Sequence, residues 1–219
     1  TDYVSGLKSF SAAFDVDDEI VDTSGQKLQY SASGTLAVER PDKLRMTRRG
    51  SFFDFELVFD GKDISFHGKG ANVYGQIESP GPTIDEAVTE FRAATGLDAA
   101  GADLLVADPY SALMTDVEKG VHVGTGIVGG VECEHLAFRG PTVDWQVWIQ
   151  TGAQPLPMKY VITTKWVTGA PQYTIRFHDW NVAPTFDPKL FVFTPPEGAQ
   201  KLDSIAPDQI GALSGEPMQ

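Results

Sequence analysis

Leu28-Gln29-Tyr30-Ser31-Ala32-Ser33-Gly34-Thr35-Leu36-Ala37-Val38-Glu39 puts Leu28, Tyr30, Ala32, Leu36 and Val38 on one side of an extended chain. Gln29, Ser31, Ser33, Thr35 and Glu39 fall on the other side. Side chains alternate across a strand with a period of two, so this stretch reads as a half-buried β-strand. The pattern continues in both directions. Upstream, Phe10, Ala12, Phe14 and Val16 alternate with polar or small residues, and the turn Asp22-Thr23-Ser24-Gly25 separates the two runs. Downstream, Pro41-Asp42 interrupts, then Leu44 and Met46 resume. Phe53, Phe55, Leu57 and Phe59 share a face, with Asp54, Glu56 and Asp60 opposite. Asp60-Gly61 is a hairpin dipeptide, leading to Ile64 and Phe66 and then to a run from Val73 to Ile77. Short linkers and steady alternation predict an antiparallel meander.

The period then changes. Thr83 and Glu86 form a capping-box pattern, Ile84, Val88 and Phe91 recur at helical spacing, and Gly96 supplies a stop. Asp108-Pro109 opens a second helix over Tyr110 to Met114. Residues 83–116 are therefore expected as a helical insert. Strand patterns return over residues 121–128, 131–138, 142–151, 157–164 and 172–182, with Gly129-Gly130 and Gly140-Pro141 as turns. Roughly ten strands in one sheet curl strongly. The fold class expected is mainly β with some α: a strongly curved antiparallel sheet, or unclosed β-barrel, with a helical lid over its concave face. Residues 1–202 read as one domain and residues 203–219 as a polar, loosely attached tail.

A formal net charge of −13 excludes DNA and RNA as partners, because phosphate binding needs an excess of Lys and Arg. It also disfavours electrostatic docking on anionic membranes. No run is long and apolar enough for a membrane-spanning helix. Cys133 is the single cysteine, which excludes an internal disulfide and a four-cysteine zinc site. The chain begins at Thr1 with no leader and no N-terminal cysteine; a removed signal peptide and an arbitrary chain boundary account for that start equally, and no lipid anchor is expected.

Catalytic motifs are missing. There is no G-x-S-x-G elbow, no H-E-x-x-H and no phosphate-binding glycine loop. Glu132 and Glu134 share a strand face beside Cys133 and His135, a pattern more often solvated than metal-binding. His178 and Asp179, as neighbours on a strand, are expected on opposite faces, which spoils a dyad. His67 and His122 have no evident partner, and Cys133 reads as a small buried hydrophobe. No catalytic residue, metal or cofactor is expected.

Two segments carry a family resemblance. One is Ser33-Gly34-Thr35-Leu36-Ala37-Val38-Glu39-Arg40-Pro41, continued by Leu44-Arg45. The other is Leu190-Phe191-Val192-Phe193-Thr194-Pro195-Pro196-Glu197-Gly198. Together with Asp60-Gly61-Lys62 they resemble the LolA-like periplasmic lipoprotein-carrier superfamily, within a branch of predicted periplasmic proteins. That resemblance implies an unclosed β-barrel under a helical lid, with a hydrophobic cavity for acyl chains. It also implies that Arg40 hydrogen-bonds the lid backbone as a latch; read from its own surroundings, Arg40 could equally cap a strand at the surface. The pattern departs at Ala37, where the carriers often have an aromatic, and in an insert longer than a typical lid.

A carrier needs no reactive group. Each methylene withdrawn from water contributes about 0.8 kcal/mol, so an acyl chain alone supplies on the order of 10 kcal/mol. The sheet residues expected to line such a site are Leu36, Val38, Phe53, Phe55, Leu57 and Phe66. From the lid come Ile84, Val88, Phe91, Leu113 and Met114. The function expected is a non-catalytic periplasmic carrier or binding protein for a lipid, lipoprotein or other hydrophobic small molecule. The alternative is an envelope protein-interaction or stress-sensor module with a filled core, since interiors are close-packed by default.

Overall fold

The computed structural model describes residues 1–50, 54–96 and 101–203. One helical turn, α1 (Asp2–Ser5), precedes β1 (Ser9–Val21), β2 (Lys27–Glu39), β3 (Lys43–Gly50), β4 (Asp54–Phe59), β5 (Asp63–Gly68) and β6 (Val73–Glu78). The insert holds α2 (Ile84–Thr95), a 3-10 turn at Ala102–Leu104 and α3 (Pro109–Met114). β7 (Lys119–Val128), β8 (Val131–Arg139), β9 (Val143–Gln150), β10 (Pro157–Thr164) and β11 (Gln172–Asn181) follow. A 3-10 turn at Pro188–Phe191 and the short β12 (Gln200–Lys201) complete the described chain.

The strands form one sheet in the order β12-β6-β5-β4-β3-β2-β1-β11-β10-β9-β8-β7. Two meanders, β1 to β6 and β7 to β11, are joined where β1 pairs antiparallel with β11. The sheet does not close, and β12 and β7 are its edges. Every neighbouring pair is antiparallel except β12 with β6, a two-residue parallel contact outside the expected pattern.

The alternation sets which face is buried. Phe10, Ala12, Phe14 and Val16 of β1 are all buried, as are Leu36 and Val38 of β2. They join Leu57, Phe59, Ile64, Phe66, Trp145, Tyr160 and Phe177 in one continuous core on the concave face. Because β6 lies near one edge and β7 forms the other, the insert between them must cross the sheet, and the burial of α2 in the same core puts it on the concave face. Its helices start and stop where local chemistry dictates. The Thr83 Oγ1 accepts from the Glu86 N–H at 3.3 Å, and the Glu86 carboxylate accepts from the Thr83 N–H at 3.0 Å. Gly96 ends α2 in the left-handed region, with φ 65°. Asp108 caps α3, accepting from the Ser111 N–H at 3.0 Å, with Pro109 in the first turn. The buried stripe of α2, Ile84, Ala87, Val88 and Phe91, faces the sheet core.

The opposite face is covered in two places. Val4 of α1 packs with Cys133, Leu156 and Met158, where Cys133 is fully buried. The segment carrying the C-terminal Phe-x-Phe motif crosses behind β3 to β6. Arg45 donates from Nη1 to the Leu190 carbonyl at 2.7 Å and is ion-paired to Glu56. Phe193 lies against the Tyr74 and His67 rings, at 5.6 and 6.4 Å between centroids. Phe53 and residues 204–219 of the expected tail lie outside the described residues.

Candidate functional site

A cavity of about 400 Å³ lies between the concave face and the insert. That volume is within the range of about 300–1,000 Å³ common for small-ligand pockets. Leu36, Leu44, Met46, Phe55 and Leu57 form its floor, and Ala87, Val88 and Phe91 of α2 form its roof. Phe66 joins the two. It stacks on Phe55 at 4.8 Å between centroids and approaches Phe91 at 6.3 Å. Ala102 and Leu105 of the insert and Phe14, Ile175 and Phe177 of the sheet complete the apolar wall.

The wall turns polar at one end. Asp18, Arg48 and Tyr173 line the cavity there, each half-buried. Strand phase places them: Asp18 continues the inward row Phe14-Val16, and Arg48 continues Leu44-Met46. Asp18 stands directly opposite Tyr173 in the β1–β11 register. Burial pushes the Tyr173 phenol up to about 12, the Arg48 charge pulling it down and Asp18 pushing it further up. Burial also raises the Asp18 carboxyl, with Arg48 partly opposing the rise. The Arg48 Nε is buried and has no hydrogen-bond partner among the described residues.

Of the residues expected at the site, the structure brings Leu36, Phe55, Leu57, Phe66, Val88 and Phe91 to the cavity wall. Val38 and Ile84 are instead locked in the solid core near the Arg40-Pro41 corner, with at most 1% exposure. There Ile84 donates its N–H to the Pro41 carbonyl at 2.9 Å, and neither residue lines the cavity. Leu113 and Met114 are half-buried against the main core but do not reach the cavity. Phe53 lies outside the described residues.

Arg40 sits at the same corner, its guanidinium 5.9 Å above the Phe10 ring. Its Nε and Nη2 are buried without a hydrogen-bond partner among the described residues. Burial holds its pKa below the usual arginine value, and the Asp85 charge on the first turn of α2 counteracts this. The direct tie between this corner and the lid is the Ile84 to Pro41 backbone bond.

The polar end had a sequence signal that the reading missed. Asp18 stands in the acidic run Asp15-Val16-Asp17-Asp18-Glu19 and Arg48 beside Arg49, so neither stands out among its neighbours. Only the phase of alternation separates them from their outward neighbours.

Three histidine expectations are corrected. His178 and Asp179 are not separated by the strand: Nδ1 and Oδ2 are 2.8 Å apart. The β1–β11 register slips by one residue here and Asp179 has φ 52°, so a bulge turns both side chains together. The pair is exposed and does not line the cavity. His122 meets Glu134 at 2.6 Å across the β7–β8 ladder, and His67 meets Asn72 at 3.2 Å. Among the described residues no three His, Cys, Asp or Glu side chains converge as metal ligands. No described helix is long and apolar enough to cross a membrane.

Known structures show where the fold recurs. An uncharacterized conserved protein from Thermus thermophilus matches with a TM-score of 0.52 at 12% identity, covering 92% of this chain and 94% of that one. LprF from Mycobacterium bovis matches with a TM-score of 0.45 at 14% identity, over 90% and 92% of the two chains. A LolA superfamily protein from Nitrosomonas europaea matches with a TM-score of 0.43 at 9% identity, over 88% and 95%. At these identities the Thermus likeness speaks for the fold alone, and the two lower scores carry no further weight. No curated protein matches the chain. The sequence itself is decisive at family level: over residues 1–204 the chain matches, and belongs to, the family described as "Predicted periplasmic protein (DUF2092)".

Proposed function

We propose that the protein is a non-catalytic periplasmic binding protein that carries a hydrophobic ligand, an acyl lipid or the acylated end of a lipoprotein, in the cavity beneath its lid. One observation carries the reading: a cavity of about 400 Å³ with a largely apolar wall, set against the buried core cluster. Interiors fill such space unless something else occupies it, because an empty cavity forfeits dispersion contacts and costs stability. About ten methylenes withdrawn from water there would contribute about 8 kcal/mol before losses from immobilisation. The edge strand β7 favours a second reading, an interaction module. Val121, Val123 and Ile127 are exposed along it, and an unpaired edge is a template for strand addition.

The test is native mass spectrometry with lipid extraction on protein purified from a bacterial envelope, wild type against Phe55→Asp. A co-purifying acyl species that the variant loses supports the carrier reading. A clean apo mass that takes up no added lipid overturns it and leaves the interaction module.

A further inference from the structure

The polar end of the cavity specifies what kind of hydrophobic ligand fits, an inference that rests on the carrier reading above. We propose that the cavity selects an amphiphile with an anionic head, the chain lying between Leu57 and Val88 and the head held by Arg48 beside Asp18 and Tyr173.

The argument begins with unmet hydrogen bonding. Buried side-chain donors without partners are rare in folded proteins and ask for an explanation. Among the described residues they occur at Arg40, Arg48, Arg92 and Trp180. Of these four, Arg48 lines the cavity. No described carboxylate comes within ion-pair distance of it, so a ligand entering the cavity meets a lining cation with a free donor at Nε. An anionic oxygen there would accept from the guanidinium in the geometry that arginine's planar fork provides.

Charge balance at the mouth gives the sign. Arg48 and Asp18 are the charged residues of the described wall. A guanidinium stays protonated at any accessible pH, whereas a buried carboxyl can take up a proton at modest cost. Burial already pushes Asp18 in that direction. The Tyr173 phenol remains a neutral donor across the physiological range. With an anion bound, the site offers one fixed cation, one phenol hydroxyl and one carboxyl able to protonate and donate. With a cationic head, Arg48 would face a like charge, and the Asp18 carboxylate would be the one anion shared between two cations.

The spacing also suits one head on one chain. From Leu44 to Arg48 the strand advances four residues, about 13 Å at the rise of an antiparallel strand. The wall changes over that distance from buried Leu44 to half-buried Arg48. The chain therefore has an apolar bed and the head a polar stop.

Isothermal titration calorimetry at pH 8 with dodecanoate, dodecanol and dodecylammonium, below their aggregation concentrations, tests the assignment. Delipidated wild type is expected to bind dodecanoate about tenfold more tightly than dodecanol, and dodecylammonium most weakly. Arg48→Met should bring dodecanoate down to the level of dodecanol while leaving dodecanol unchanged. Arg48→Lys should keep part of the preference, which separates loss of charge from loss of fold. Equal binding of acid and alcohol by wild type, preference for the ammonium, or a preference surviving in Arg48→Met overturns head selection and leaves the carrier reading intact. Binding of none of the three overturns both.

Discussion

The ring of Phe14 occupies the place where a side chain at Gly34 would stand. A Cβ built on Gly34 overlaps the Phe14 ring and also meets the Thr47 carbonyl of the neighbouring strand. Gly34 pairs with Phe14 on one side and with Arg48 on the other, and the missing side chain leaves the room that the Phe14 ring fills. Gly34→Ala is expected to cost about 1–3 kcal/mol through overpacking, read as a lower urea midpoint with an unchanged slope. A substitution without effect would mean that both the Phe14 ring and the backbone at Thr47 can give way.

Ala87 lies on the roof of the cavity at 4% exposure, with empty space in front of it. Ala87→Leu should grow into that space. A rise in stability of roughly 0.5–2 kcal/mol is expected, the usual gain from filling a cavity. Uptake of an acyl probe should fall in the same variant. Raised melting temperature with undiminished uptake would show that ligand and side chain do not compete for this volume.

The capping box at the start of α2 sets where the lid begins. Thr83→Ala removes the acceptor for the Glu86 N–H and should cost about 1 kcal/mol. Because Ile84 is tied to Pro41, the loss is expected to appear as faster amide exchange across Ile84–Thr95 before the sheet loosens.

Asp18 gives a pH dependence with a definite sign. Burial raises its folded-state pKa above the unfolded value of 3.8. Its favourable contribution is therefore full below that value and is lost as pH rises through the higher folded pKa. At neutral pH the ionised carboxylate opposes folding, with Arg48 relieving part of the cost. Asp18→Asn should raise the urea midpoint at pH 7 and leave it nearly unchanged at pH 3. A midpoint that falls at pH 7 would show Asp18 to be a net stabilising partner of Arg48.

Features written in a few adjacent residues were legible in the sequence. Thr83 with Glu86, Gly96, and Asp108 with Pro109 each act within one helical turn, and the helices begin and end on them. The rows Phe10 to Val16 and Leu28 to Val38 were legible because a period of two is a local property. Three things depended on distant contacts. The parallel pairing of β12 with β6 joins Gln200 to Val73, and no local pattern announces it. The bulge at Asp179 depends on the register against Ser11 and Ala13. Asp18 and Arg48 belong to the cavity because neighbouring strands curl and carry the insert over them. Their own neighbours in sequence, Asp17 and Arg49, face away.

The pairing of β1 with β11 has a kinetic consequence. Arg176 Nη1 donates to Asp17 Oδ2 at 2.7 Å across 159 residues, while every other antiparallel pairing joins strands adjacent in sequence. Each meander can form from local hairpins, but the seam must wait for the closure of a long loop. The protein should therefore fold in two waves, hairpins first and seam last. Two chains cut between β6 and β7 should reassemble along the β1–β11 ladder. Recovery of the native circular dichroism spectrum on mixing the halves would give the strength of that seam as a dissociation constant.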